Sequence, residues 1–173
     1  AIVQARLDRL AEPDRLAAQL ASGLGGRFAL EPLHRLLGDE AWQPEALLDC
    51  ALIRPDGEDY LFAHNLVQHS VYASLTRSRR QALHRDAAAW YQGRDPLLHA
   101  EHLERAGEGA ASAYLEAARA LAQDFRFERA LELAERGRAL AVQPAEHYGL
   151  ACLVGELLRD LARIDASIAA FEV

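Results

Sequence analysis

Residues 52–62 read Leu52-Ile53-Arg54-Pro55-Asp56-Gly57-Glu58-Asp59-Tyr60-Leu61-Phe62. Two short strand-like runs, 52–54 and 60–62, flank a polar turn with Asp-Gly at its centre, the signature of a β-hairpin. It is the one convincing β signal in a 173-residue chain. Elsewhere the sequence is rich in Ala and Leu and carries only 7% aromatic residues. Alanine loses no side-chain entropy in a helix and lets helices approach closely, so the composition predicts packed helices rather than a sheet core.

Working outward, short helices precede the hairpin. Ile2, Leu7, Leu10, Leu16, Leu20 and Leu24 recur at roughly helical spacing. Pro13 interrupts them and starts a second helix in its first turn, and Gly23, Gly25 and Gly26 stop it. Further helices are expected from Glu31 to Leu37 and from Gln43 or Pro44 to Ala51. Three helices followed by a hairpin is the order of a winged helix, with residues 52–62 as its wing. After the wing, 64–75 and 77–92 read as helices, and Gly93-Arg94-Asp95-Pro96 is the clearest break in the second half.

From Leu97 onward the pattern is helical, punctuated at Gly107, Asp124 and Gln143-Pro144. A repeat lies within it. Tyr114, Ala117, Ala118 and Leu121, followed by Ala130, Ala134 and Gly137, alternate small and large residues as a tetratricopeptide (TPR) helix pair does. Gly155, Leu158, Ala162, Ser167 and Phe171 form a second copy. From Ala118 to Gly155 is 37 residues, against a TPR period of about 34. Such pairs cannot bury their apolar faces alone and must stack. The expectation is a mainly α protein: a winged-helix-like domain over 1–78, then antiparallel TPR-like helical repeats over 79–173. The chain begins at Ala1, contains no Met and stops at Phe171-Glu172-Val173 within a helical pattern, so we expect it to be a piece of a longer protein.

The formal net charge is −7 and lysine is absent, so all 19 basic residues are arginine, as codon usage in a GC-rich bacterial genome produces. An acidic balance counts against nucleic-acid binding, which draws its affinity from phosphate neutralisation. No apolar run approaches the ~20 residues that cross a bilayer. Cys50 and Cys152 are far apart and lack ligand-like neighbours, which predicts two buried thiols in a reducing cytosol.

Residues 60–85 resemble the segment that follows the ATPase core in bacterial signal-transduction ATPases with numerous domains, the STAND class, some with an adenylate cyclase domain in front and others ending in a LuxR-type DNA-binding domain. The resemblance rests on Phe62-x-His64-x-Leu66-Val67, Tyr72 and Arg77-x-Arg79-Arg80, with Ala100-x-His102-x-x-x-Ala106-Gly107 later in the chain. In that class a winged-helix histidine within a Met-His-Asp-like motif contacts the β-phosphate of ADP and holds the inactive state. His64 matches that histidine, while Ala63 and Asn65 stand where the motif has Met and Asp. An imidazole N–H suits a phosphate oxygen; the alternative is that His64 simply caps the following helix. The resemblance implies ATP or ADP in an upstream domain, no cofactor within this chain, and an inducer or protein partner on the repeats.

Other motifs carry less. Gly23-Leu24-Gly25-Gly26 lacks the Lys and Ser/Thr of a phosphate loop and follows a helix, so it reads as a helix stop. ATP hydrolysis would have to reside elsewhere. His99 and His102 share one helix face without a third metal ligand, which favours a polar surface. His34, His69, His84 and His147 form no triad with a serine. Arg77, Arg79, Arg80 and Arg85 make the strongest positive cluster, either a contact with DNA or with nucleotide phosphates in a neighbouring domain, with Arg79 and Arg80 foremost at that domain interface, or a solvated face pairing with local acids. The expected recognition helix near 44–51 carries Glu45 and Asp49 and no arginine, which suits DNA poorly. The expectation is a cytoplasmic regulatory and protein-interaction fragment, not an enzyme. The alternative is a winged-helix DNA-binding factor with a helical dimerisation domain.

Overall fold

The computed structural model describes residues 2–171. Among these the protein is mainly helical, with eleven α-helices and a small three-stranded antiparallel sheet. In chain order these are α1 (Ile2–Leu7), α2 (Glu12–Leu24), β1 (Arg27–Phe28), α3 (Leu30–Leu37), α4 (Glu45–Asp49), β2 (Ile53–Asp56), β3 (Asp59–Phe62), α5 (Asn65–Ser74), α6 (Arg77–Tyr91), α7 (Pro96–Ala106), α8 (Ala111–Gln123), α9 (Phe127–Leu140), α10 (Pro144–Asp160) and α11 (Ile164–Phe171). Glu172 and Val173, to which the helical pattern was expected to run, lie outside the described residues. No described helix is long and apolar enough to cross a membrane.

The chain divides into two compact units, the first ending at Trp90 and the second starting at Tyr91. The sequence-based boundary at 78/79 falls inside α6. The first unit keeps that helix because Leu83 packs where a side chain on Gly23 of α2 would stand, 2.3 Å from an ideal Cβ.

In the first unit, α2 starts at Glu12 with Pro13 in its first turn. Its Ala17, Ala18 and Ala21 are fully buried, so α3, α4 and α5 pack closely on it. The hairpin turn is tighter than the five residues expected from sequence. Asp56 pairs directly with Asp59, leaving Gly57-Glu58 as the loop, with Gly57 at φ +66°. A glycine first in a two-residue loop suits the strand twist at no steric cost. A strand that sequence did not foresee, β1, pairs with β3 (Arg27 with Leu61, Phe28 with Tyr60), so the sheet order is β1-β3-β2. Phe28 packs on Phe62 at 5.7 Å between ring centres, and β1 brings Arg27 to the hairpin end. Two aspartates facing each other across a ladder repel; Arg27 offsets this by binding Asp56 at 3.0 Å and Asp59 at 2.8 Å.

In the second unit, α7 packs on α8, α8 on α9, α9 on α10 and α10 on α11, with α10 also touching α8. Asp95 caps α7 by accepting the Leu98 N–H at 2.9 Å. Glu146 accepts the N–H groups of Val142 and Gln143 at the start of α10, both at 3.1 Å, and the Ser112 hydroxyl of α8 at 3.0 Å. The turns after α8 and α10 are the same structure. Phe125 and Ala162 have φ of +58° and +59°. Arg126 N–H donates to Leu121 C=O at 2.9 Å, as Arg163 N–H does to Leu158 at 2.8 Å. Both pairs stand 37 residues apart, the interval separating Ala118 from Gly155.

Candidate functional site

His64 follows β3 and is the residue before the first turn of α5, in extended backbone. Its carbonyl accepts the N–H groups of Val67 at 2.9 Å and Gln68 at 3.3 Å, which starts the helix. Its imidazole makes no capping hydrogen bond and is exposed, as are Asn65 and Leu66 beside it. Leu66 is 78% exposed, so this turn presents an imidazole, an amide and a large aliphatic side chain together.

The arginine cluster on α6 is not one surface. Arg80 lies over the Tyr72 ring, 5.3 Å from its centre, and Tyr72 in turn hydrogen-bonds buried His84 at 2.7 Å. That contact uses Arg80 to fasten α6 to α5. Arg77 and Arg79 are exposed, and the Arg79 N–H donates to Thr76 Oγ1 at 3.3 Å. Among the described residues no hydrogen bond, ion pair or ring contact joins His64 to Arg79 or Arg80.

Several expectations change. His99 and His102 do not form a polar face: His102 is buried and stacks on Tyr91 at 5.4 Å, nearly parallel, while His99 is half-buried. The reason is that α7 turns this side toward Tyr91. Cys50 and Cys152 are half-buried rather than buried free thiols. His34 donates from Nε2 to the Trp42 carbonyl at 2.9 Å, and the Ser70 and Ser74 hydroxyls bind carbonyls of their own helix; no nucleophile is paired with a base there. No cluster of three or more His, Cys, Asp or Glu able to hold a metal occurs among the described residues.

Sequence reasoning missed an electrostatic cluster that joins three helices. Tyr114 of α8, fully buried, donates its hydroxyl to Glu104 of α7 at 2.5 Å. Arg136 of α9 binds the same carboxylate oxygen at 2.8 Å and lies over the Tyr114 ring at 5.4 Å. Burial raises the Tyr114 pKa, and the adjacent carboxylate raises it further. Burial also pushes Glu104 upward, but the Tyr114 hydroxyl and Arg136 overcome this and hold it below the usual carboxylate range. Both shifts move away from neutrality. A neutral phenol and a charged carboxylate persist there near pH 7, which is the behaviour of a fastener and not of a proton-transfer pair.

Comparison with protein-family models, with curated proteins and with solved structures gives no match for this chain.

A second feature invisible to sequence is a groove of about 530 Å³ between α10 and α11, lined by Tyr148, Ala151, Cys152, Ala170 and Phe171 among others. A second cavity of about 550 Å³ in the first unit is lined by Glu31, His34, Arg35, Glu40 and Trp90. Its charges alternate in sign.

Proposed function

We propose that this chain is the winged-helix and TPR-like region of a bacterial STAND-class signalling ATPase or transcriptional regulator. It couples the nucleotide state of an upstream ATPase domain to an inducer or protein partner on its helical repeats. It works in the cytoplasm and performs no chemistry of its own. The order α2-β1-α3-α4-β2-β3, with β1 antiparallel on β3, supports a winged helix. The 37-residue register of two helix pairs closed by identical turns supports a repeat.

The observation that carries the reading is His64. It is exposed, its ring is free of the capping bond that a purely structural role would use, and it occupies the position at which the resemblance expects a phosphate contact. Exposed Leu66 beside it would add apolar contact with the ATPase domain, and Arg79 belongs to the same interface at lower weight. The Arg80 contact with Tyr72 leaves that arginine a packing role first.

The test is His64→Ala in the protein that joins this chain to its ATPase core. Loss of a hydrogen bond to charged phosphate costs roughly 1.5–3 kcal/mol, so ADP retention should weaken about ten- to a hundredfold and basal activity should rise. Unchanged ADP retention and unchanged basal activity would reduce His64 to a helix-start residue.

A further inference from the structure

We propose that the cavity of about 550 Å³ in the first unit binds a basic amino acid. Its α-carboxylate would sit on Arg35, its two cationic groups on Glu31 and Glu40, and its stem against Trp90. The site draws on neither His64 nor the helical repeats.

The cavity is built on one face of α3. Glu31, His34 and Arg35 stand three and four residues apart, so they share that face, while Pro32 and Leu33 are buried on the other. Gly38 ends the helix in the left-handed conformation at φ +68°, and its N–H donates to the His34 carbonyl at 2.9 Å. The chain then folds back onto the helix, where His34 Nε2 donates to the Trp42 carbonyl at 2.9 Å. Trp42 is itself buried and donates to Asp14 of α2 at 2.9 Å. This anchored return brings Glu40 to the cavity wall. Trp90, in the last turn of α6, adds an aromatic surface.

The carboxylates and the guanidinium on this wall count two negative charges to one positive. Glu31 and Arg35 have the spacing of an i,i+4 ion pair. Yet neither they nor Glu40 makes a side-chain hydrogen bond or ion pair among the described residues. All three are exposed, whereas His34 and Trp90 are half-buried, so the charges stand toward the mouth and the aromatic surface lies deeper. A simple anion would meet Arg35 but face two carboxylates. A simple cation would leave Arg35 unmatched. A ligand with two positive groups and one negative answers every charge, and a basic α-amino acid has that composition. Its aliphatic stem and side-chain cation suit the face of an indole, most of all when the cation is a planar guanidinium. The volume falls in the range of about 300–1,000 Å³ usual for small-molecule sites.

The test is isothermal titration calorimetry of the 173-residue chain with L-arginine. Binding should be saturable. Glu31→Gln, Arg35→Gln and Glu40→Gln should each weaken it about three- to tenfold, as for charged contacts open to solvent. Because these side chains are exposed, circular dichroism should show the fold intact. Glu45→Gln, exposed on α4 and outside the cavity lining, should leave binding unchanged. Agmatine, which lacks the α-carboxylate, should bind more weakly than L-arginine and should be no worse a ligand for Arg35→Gln than for the parent. L-leucine, which lacks the second cation, should also bind more weakly. No saturable binding of L-arginine would overturn the assignment. So would binding indifferent to all three cavity variants, which would put the ligand elsewhere on this acidic chain. L-leucine or agmatine binding as tightly as L-arginine would overturn the assignment to a basic amino acid.

Discussion

Gly137 shows how a single missing side chain fixes helix packing. In an exposed helix Gly→Ala gains about 1 kcal/mol from lower chain entropy. Here a Cβ would meet Tyr114 Cβ at 2.9 Å, Leu150 Cδ2 at 3.0 Å and the Ala111 carbonyl at 3.3 Å. Two of these neighbours are held by backbone geometry and cannot swing aside. Overpacking a rigid site costs about 1–3 kcal/mol, so the clash wins. Gly137→Ala should lower stability by about 1 kcal/mol or more, read as a lower urea midpoint. Gly155 is the contrast. A Cβ there would overlap the Phe171 ring tip at 2.4 Å, but that ring is half exposed and free to rotate outward. Gly155→Ala should therefore come out near neutral or slightly stabilising. A loss there equal to that at Gly137 would show that Phe171 is locked in place.

At the scale of elements, Glu104 ties α7 to α8 and α9 through one carboxylate. Its pKa is depressed in the folded protein. The stability it contributes is present above the ordinary carboxylate pKa and is lost as pH falls through the lowered folded value. Glu104→Gln should thus cost stability at pH 7 and lose less on acidification than the parent. Parallel pH profiles of the two would show that the pair is too well solvated to matter. Tyr114→Phe should cost roughly 1.5–3 kcal/mol at pH 7, as expected for a hydrogen bond to a charged group. The half-exposed Arg136 contact is worth less. No local pattern announces this cluster, since positions 104, 114 and 136 come from three helices. Helix breaks, by contrast, are local chemistry. Pro13, Gly93 to Pro96, Gly107 and Gln143-Pro144 marked ends that the structure keeps within a residue or two. The same logic explains the missed β1: two residues after Gly25-Gly26 show no alternation, and their partners lie more than thirty positions later. The groove was hidden likewise, because apolar spacing on α11 looks the same whether a helix covers it or not.

Over the whole molecule, charge separates the expectations for the proposed regulatory spacer from those for a DNA reader. The chain carries −7, and the distribution sharpens the total. The surface that would enter a major groove, α4, exposes Glu45 and Asp49 and holds no arginine. The hairpin end displays Asp56, Glu58 and Asp59, and the arginine nearest to it, Arg27, already binds both aspartates. That pairing raises the Arg27 pKa, the Asp59 hydrogen bond foremost, so the guanidinium keeps its charge but spends it locally. Phosphate binding releases counterions only where free cations face the backbone. Arg54 on β2 and Arg77, Arg79 and Arg85 on α6 are exposed, a thin scatter beside the acidic hairpin end and α4. Titration with random duplex DNA at low salt should therefore show no tight binding, and any weak signal should carry a shallow salt slope. Binding in the nanomolar range with a steep slope would put α6 against the duplex and replace the regulatory reading with a transcription factor. A weak signal abolished by Arg79→Glu would assign that phosphate contact to α6, and intact ADP control in the same variant would remove Arg79 from the interface proposed above.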